Sequence, residues 1–289
     1  MPMHLRPTLL LGLLAFFAAA CTRNPSAPPT PGGAPSNPEA PPPKVALDHW
    51  KLQLPDRSLD DVEPSELEER TRNGELRPYF YYDDEGALVF FTLPLDTTAH
   101  SRYSRTELRE QLVPGRDDVN WTLQDGGVLR GRLAVAAISH DGDGRAHRTI
   151  VMQIHGRLSD AQAARIGADD HDAPPLLKVY WQRGQVRLLF KKLRDPGADD
   201  EEILHKSAWT DDEPFVFPEH VDHGPFELRV EARPGRVRVA LNGEAHDIAT
   251  PSLVRWPFEN YFKTGNYLQT RDDGAQATVV FYELAVDHP

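Results

Sequence analysis

The sequence predicts an all-β domain, a sandwich or a barrel of antiparallel strands. Three observations carry that expectation. Beyond residue 74, apolar residues gather in short runs of strand length. Turn-forming segments separate the runs, such as DDEG (83–86), DGDGR (141–145) and Arg183-Gly184. Helical signals are few. Pattern alone does not choose between sandwich and barrel.

Taken in order, residues 1–20 read as a lipoprotein-type signal peptide: His4 and Arg6, then an apolar run from Leu9 to Ala20. The run is too short for a comfortable membrane span. It ends in Ala18-Ala19-Ala20-Cys21, which resembles a bacterial lipobox, where the cysteine becomes the lipidated first residue. A plain signal peptide cut nearby is the alternative. Residues 21–43 are rich in proline, alanine, serine and glycine, a composition that buries no core and forms an extended, disordered tether. The protein is therefore expected to be exported and held at a bacterial membrane, the outer one, through Cys21. Cys21 is also the single cysteine, so no internal disulfide forms. Residues 44–289 contain no second Pro-rich linker and read as one domain.

Within that domain SELEERTRNG (65–74) and SDAQAARIG (159–167) are short helices, the second with a capping serine and a closing glycine. ELRPYFYY (75–82) and GALVFFTLP (86–94) form a hairpin. GVLRGRLAVAAI (127–138) and RTIVMQIH (148–155) follow as strands, then LLKVYWQ (176–182) and QVRLLFKKL (185–193). FELRVEA (226–232) and RVRVALNG (236–243) join across Pro234-Gly235. In the first of these, Leu228, Val230 and Ala232 alternate with Glu227, Arg229 and Glu231, the mark of a half-buried strand. ATVVFYELAV (277–286) closes the chain.

The formal net charge is −12, which excludes a general nucleic-acid binder. It does not exclude an anionic ligand, because net charge does not decide a local field. Much of the acid lies in runs at 60–69, 195–202 and 210–213, which read as solvated loops.

Three strands carry unusually functional faces. Successive side chains of a strand point to opposite sides. In SRTELRE (104–110), Arg105, Glu107 and Arg109 share one face, an alternating charge ladder. In MQIHG (152–156), Gln153 and His155 do so. In YFKTGNYLQ (261–269), the row is Tyr261, Lys263, Gly265, Tyr267 and Gln269. A glycine at the centre of such a row marks the close approach of a ligand or of another backbone. Each face alone is compatible with an ordinary solvated surface, and His155 alone with a structural histidine. Three together suit a concave surface that grips an anionic, hydroxyl-rich ligand.

HWKLQLP (49–55), SRTELRE, QIH and YFKTGNYLQ, in this order, resemble the four signature blocks of the alginate lyases of polysaccharide lyase family seven. QIH is weak alone; the ordered set is specific and spans nearly the whole domain. The resemblance implies a β-jelly roll of two curved antiparallel sheets, with alginate or a related anionic polysaccharide in the concave groove. It implies catalytic roles for Arg105, Gln153, His155 and Tyr267, and substrate-binding or bracing roles for Glu107, Arg109, Lys263 and Gln269. Two positions depart from the pattern. Thr264 stands where alanine is frequent, and Ser104 where proline is common.

The implied chemistry explains the residue types. A lyase removes the C5 proton of a uronate and expels the oxygen at C4. Arg105 and Gln153 would neutralise the carboxylate as charge moves onto it. His155, with an ordinary pKa of about 6.5, suits the base. Tyr267, at about 10, suits the donor to the leaving oxygen, and nearby cations such as Lys263 would lower it enough for Tyr267 to serve as base too. No metal or cofactor is required, and no spacing such as HExxH is present. The chain is expected to act as a monomer. Trp50 and Trp181 read as core residues, and His140, His147 and His171 receive no role.

The rival expectations are a lyase for another polyuronate such as a glucuronan, and a lectin that binds an anionic glycan without cleaving it. A glycoside hydrolase needs a carboxylate pair, and the site motifs contain only Glu107. Ile154 at the middle of QIH tends, in the family, to accompany cleavage at guluronate-containing sequences.

Overall fold

The computed structural model describes residues 45–56, 58–97 and 101–289. The signal peptide, the tether and Cys21 lie outside them. Strands β1 (Trp50–Gln53), β2 (Phe80–Tyr82), β3 (Leu88–Thr92), β4 (Arg105–Glu110) and β5 (Gly127–Ile138) are followed by β6 (Arg148–Arg157), β7 (Asp172–Gln182), β8 (Gln185–Leu193) and β9 (Trp209–Asp211). Then come β10 (Phe215–His220), β11 (Phe226–Arg233), β12 (Arg236–Leu241), β13 (Glu244–Ile248), β14 (Glu259–Leu268) and β15 (Ala277–Asp287). Three short helices, α1 (Pro64–Arg72), α2 (Asp160–Ile166) and α3 (Pro251–Val254), interrupt them.

The strands form two antiparallel sheets. One runs β1-β4-β14-β6-β7-β8-β10, with β9 beside β8; the other runs β13-β12-β11-β5-β15-β3-β2. The chain passes back and forth between them: β3 and β5 lie in the second sheet, β4 and β6 in the first. This is why β4, β14 and β6, distant in sequence, are neighbours in one sheet.

The inner faces fill the space between the sheets. On β11, Phe226, Leu228, Val230 and Ala232 are buried, following the expected alternation. Phe90 packs edge-on against Phe80 and Phe281 at ring separations of 4.9 and 5.3 Å. Trp50, Trp181 and Ile154 lie in this core, and each buried aromatic or aliphatic side chain stabilises the fold by about 1.5–3 kcal/mol.

The helices form where their caps are. Ser159 accepts from Gln162 N while Gln162 reaches back, a complete capping box, and Gly167 ends α2 in the left-handed conformation. The first half of ELRPYFYY turns instead of pairing: Tyr79 N and Phe80 N both bond Leu76 O, and strand begins only at Phe80. The acidic run at 60–69 is not all solvated loop, since α1 begins at Pro64 and buries Leu67. The sequence reading missed β10. It carries Pro218 and pairs only with β8, an edge position where proline is tolerated.

Two polar clusters fix the strands of the first sheet from behind. Asn266 donates to Phe90 O and Ala277 O and accepts from Thr149, so β14 is tied to the opposite sheet. Thr92 and Thr106 extend the tie to β4. At the other end Glu110, buried, accepts from Trp121 Nε1 at 3.0 Å, from Phe262 N at 2.8 Å and from His288 Nε2 at 2.6 Å. His288 Nδ1 lies 3.0 Å from Gly126 O, an acceptor only. Both ring nitrogens therefore donate. Burial alone would push the His288 pKa down, but Glu110 holds it above the ordinary value.

Gly265 has φ +139°, and a Cβ there would stand 2.7 Å from Thr106 O and 2.9 Å from the Phe90 ring. The glycine at the centre of the β14 row is needed because another backbone comes close. Ser104 accepts from Leu95 N and donates to Asp96 O, fixing the chain just before β4.

Candidate active site

Strand register turns the three functional faces into one. Between β4 and β14, Arg105 lies opposite Tyr267, Glu107 opposite Gly265 and Arg109 opposite Lys263. Between β14 and β6, Lys263 lies opposite Gln153 and Tyr261 opposite His155. On the far side of β4, Gln53 faces Glu107 and Lys51 faces Arg109. The HWKLQLP block thus contributes Lys51 and Gln53, to which the sequence reading gave no role.

Glu107 is the hub. Only 1% exposed, it accepts from Gln153 Nε2 at 2.6 Å, Lys263 Nζ at 2.6 Å and Arg105 Nη1 at 3.1 Å. Burial would raise its pKa, but Lys263 and Arg105 outweigh burial and hold it below the usual carboxylate range. An isolated ion pair would raise the lysine in turn. Here Lys263 is pushed down to about 8, because burial and the charge of Arg105 outweigh what one carboxylate returns. The cluster has more cation than acid, and a further anion is welcome.

The two arginines of the ladder differ. Arg109 donates to Glu110 O, Asp117 O and Asn120 Oδ1, and pairs with the Asp117 carboxylate at 2.8 Å. Both its terminal nitrogens are committed, so it is a brace. Arg105 Nη1 donates to Glu107, and its Nε has no partner. Arg105 is the guanidinium with donors left for a substrate carboxylate.

His155 Nδ1 is 3.0 Å from Gly156 O, which only accepts. The proton therefore sits on Nδ1, and Nε2 keeps its lone pair. Burial and the charge of Lys263 push the pKa down to about 4, so the ring is neutral at neutral pH. Tyr267 lies under Arg105, whose guanidinium carbon is 3.9 Å from the ring centroid. The expectation that cations would lower the Tyr267 pKa is overturned. Burial raises it, and the opposing effect of Arg105 does not cancel that. Lys263 is spent on Glu107 and Gln53. The Tyr267 hydroxyl is thus held in its protonated form. Gln269 is turned back on its own strand, donating to Tyr267 O at 3.1 Å.

A cleft of about 520 Å³ opens over this face, lined by Arg105, Arg109, His155, Tyr261 and Lys263 from the central strands. Gln153 joins them through Glu107, and Tyr267 through Arg105. Sequence reasoning missed the loop contributions. Asp117 and Asp118 come from the segment after β4, Asp170 and His171 from the segment before β7, and Asp61 from the acidic run read as solvent-facing. Loop residues without a pattern give no signal; Asp61 is tied to Gln53 Nε2 at 3.4 Å, which only the folded chain shows.

Comparison with known proteins places this cleft among the jelly-roll polysaccharide lyases. A profile of the family described as alginate lyase matches residues 45–288. The chain belongs to the alginate lyases of polysaccharide lyase family seven. A curated alginate lyase of Klebsiella pneumoniae is 25% identical over 300 residues, covering 86% of this chain and 91% of that protein. Alginate lyase A1-II′ of family 7, solved as a Tyr-to-Phe variant in complex with product (GGG), is 28% identical, covers 85% of this chain and 97% of its own, and superposes with a TM-score of 0.66. Its His-to-Asn, Tyr-to-Phe variant in complex with substrate (GGMG) is 28% identical, with 89% and 97% covered and a TM-score of 0.65. The alternatives, a lyase for another polyuronate such as a glucuronan and a non-catalytic lectin, are not favoured.

Proposed function

We propose that this lyase depolymerises alginate by β-elimination with a divided base and acid, and that it favours guluronate-containing or mixed blocks over polymannuronate. Arg105, with the second N–H of Gln153, takes the carboxylate of the reacting sugar. His155 Nε2 removes the C5 proton, the C5–H electrons become the C4–C5 double bond, and the C4–O bond breaks. Tyr267 gives its proton to the departing oxygen.

The observation that carries this reading is the protonation pattern. His155 is neutral with its proton on Nδ1, while Tyr267 is held protonated. In guluronate the C5 proton and the C4 oxygen lie on opposite faces of the ring, so base and acid must be separate groups. In mannuronate they share a face, and a single tyrosine would have to begin as phenolate, against the direction of its pKa. The variants of A1-II′ solved with product and substrate are altered at a tyrosine and a histidine, the residue types assigned here.

The test is the rise in ultraviolet absorbance from the conjugated double bond, followed on polyguluronate, mixed and polymannuronate substrates. Faster initial turnover on polyguluronate or mixed blocks is expected; faster turnover on polymannuronate would overturn the preference. The reading extends to location, with Cys21 as a lipid-bearing residue at a bacterial outer membrane. Cys21→Ser should release the protein from the membrane fraction, and wild-type protein already soluble and unlipidated would refute the anchor.

A further inference from the structure

Tyr261 has no role in the chemistry above, yet it is the side chain in closest register with the base. Its ring stacks on His155 at a centroid separation of 5.2 Å and an interplanar angle of 18°. Its hydroxyl oxygen is 3.1 Å from His155 Nδ1. Since the Nδ1 proton points to acceptors, the Gly156 carbonyl and the Tyr261 oxygen share it. From the β4 side, the Arg109 guanidinium carbon lies 4.2 Å from the Tyr261 centroid. Arg109 is itself fixed by Asp117 and Asn120. A chain of contacts therefore runs from the segment after β4 through Arg109 and Tyr261 to the imidazole.

We propose that Tyr261 is a positioning residue for the elimination, holding the His155 ring in the rotamer and tautomer that leave Nε2 for the C5 proton. The proposal rests on His155 being the base. The Gly156 carbonyl alone restrains one atom of the ring; the stack restrains its plane. Burial pushes the Tyr261 hydroxyl up to about 12, so it remains a neutral oxygen across the working range. A base misplaced by about an ångström forfeits rates of order a hundredfold, which gives the stack its leverage.

A double-mutant cycle tests it. Tyr261→Phe keeps the ring and removes the oxygen, and a loss of about threefold to tenfold in kcat/KM on polyguluronate is expected. Tyr261→Leu removes the stack as well, and a loss of about thirtyfold or more is expected. In a His155→Ala background neither substitution should reduce the residual rate further. The same fold-loss in both backgrounds would overturn the proposal, because Tyr261 would then act independently of His155. Full polyguluronate activity in His155→Ala alone would overturn the base assignment, and the proposal with it. A second readout guards against a misfolded Leu variant. In the chain labelled with ¹⁵N-histidine, the His155 signals are those lost in His155→Ala. The wild type should show a single Nδ1-protonated form, and Tyr261→Phe should weaken that preference. An unchanged tautomer in an active-site-impaired Tyr261→Phe would also overturn it.

Discussion

The same five-residue ladder occurs on both sheets. Arg105, Glu107 and Arg109 share a face of β4, and Arg229, Glu231 and Arg233 share a face of β11. In both, the central glutamate bonds an arginine and its pKa is lowered. On β11 the side chains of Arg229 and Arg233 are 41% and 60% exposed, and water screens them. On β4 the glutamate is 1% exposed, and Gln153 and Lys263 arrive from strands remote in sequence. The difference teaches that a charge ladder is not itself a site. Burial and added cations convert it into one.

Removing the central acid should separate the two ladders most. Glu107→Gln leaves Lys263 and Arg105 buried without their anion, a change of the kind that costs about 3–5 kcal/mol. Denaturant melts should show that loss, and lyase activity should fall to near background. Glu231→Gln should cost about 0.5 kcal/mol or less, with activity unchanged. Comparable losses at both positions would show that burial does not decide the matter. Next in size is the proposed proton donor beside the β4 ladder. Tyr267→Phe should keep the fold and the binding of alginate while turnover drops by about a hundredfold or more. Near-normal turnover would remove the hydroxyl from the mechanism.

The mildest lever is pH. With His155 as the proposed base, elimination needs its neutral form, so kcat/KM should fall only as pH drops through about 4, well below an ordinary histidine. On the alkaline side Lys263 loses its proton near pH 8, and the cleft loses a cation for the polyanion. Activity should therefore decline above that value. Glu231→Gln should leave both limbs where they are. An acid limb near 6.5 in the wild type would mean that His155 is not depressed by its surroundings.

Much of the domain was legible because apolar alternation is a local property. The β5 run and the β8 run coincide with the strands observed, and α2 announced itself through Ser159 and Gly167. The residues of one strand face were equally legible, since alternation places Arg105 with Glu107 and Lys263 with Tyr267. What sequence could not supply was the pairing between faces. The partnership of Glu107 with Lys263 depends on β14 lying beside β4. The direction of the Tyr267 pKa depends on burial beneath other strands, and neighbouring cations alone predicted the opposite sign. Arg109 and Arg105 look alike in the motif; only the loop carrying Asp117 and Asn120 distinguishes brace from ligand.

The clasp at Glu110 also sets a timetable. Its carboxylate sits at the end of β4, and the imidazolium that neutralises it belongs to a residue 178 positions later. As the chain is synthesised, β4 emerges with its charges long before either β14 or His288 exists to receive them. Early segments can collapse on local contacts, but this sheet cannot close in the order in which it is made. Until His288 arrives, the Glu110 carboxylate lacks the imidazolium that neutralises it. Completion of the cleft therefore waits on β14, a strand made long after β4.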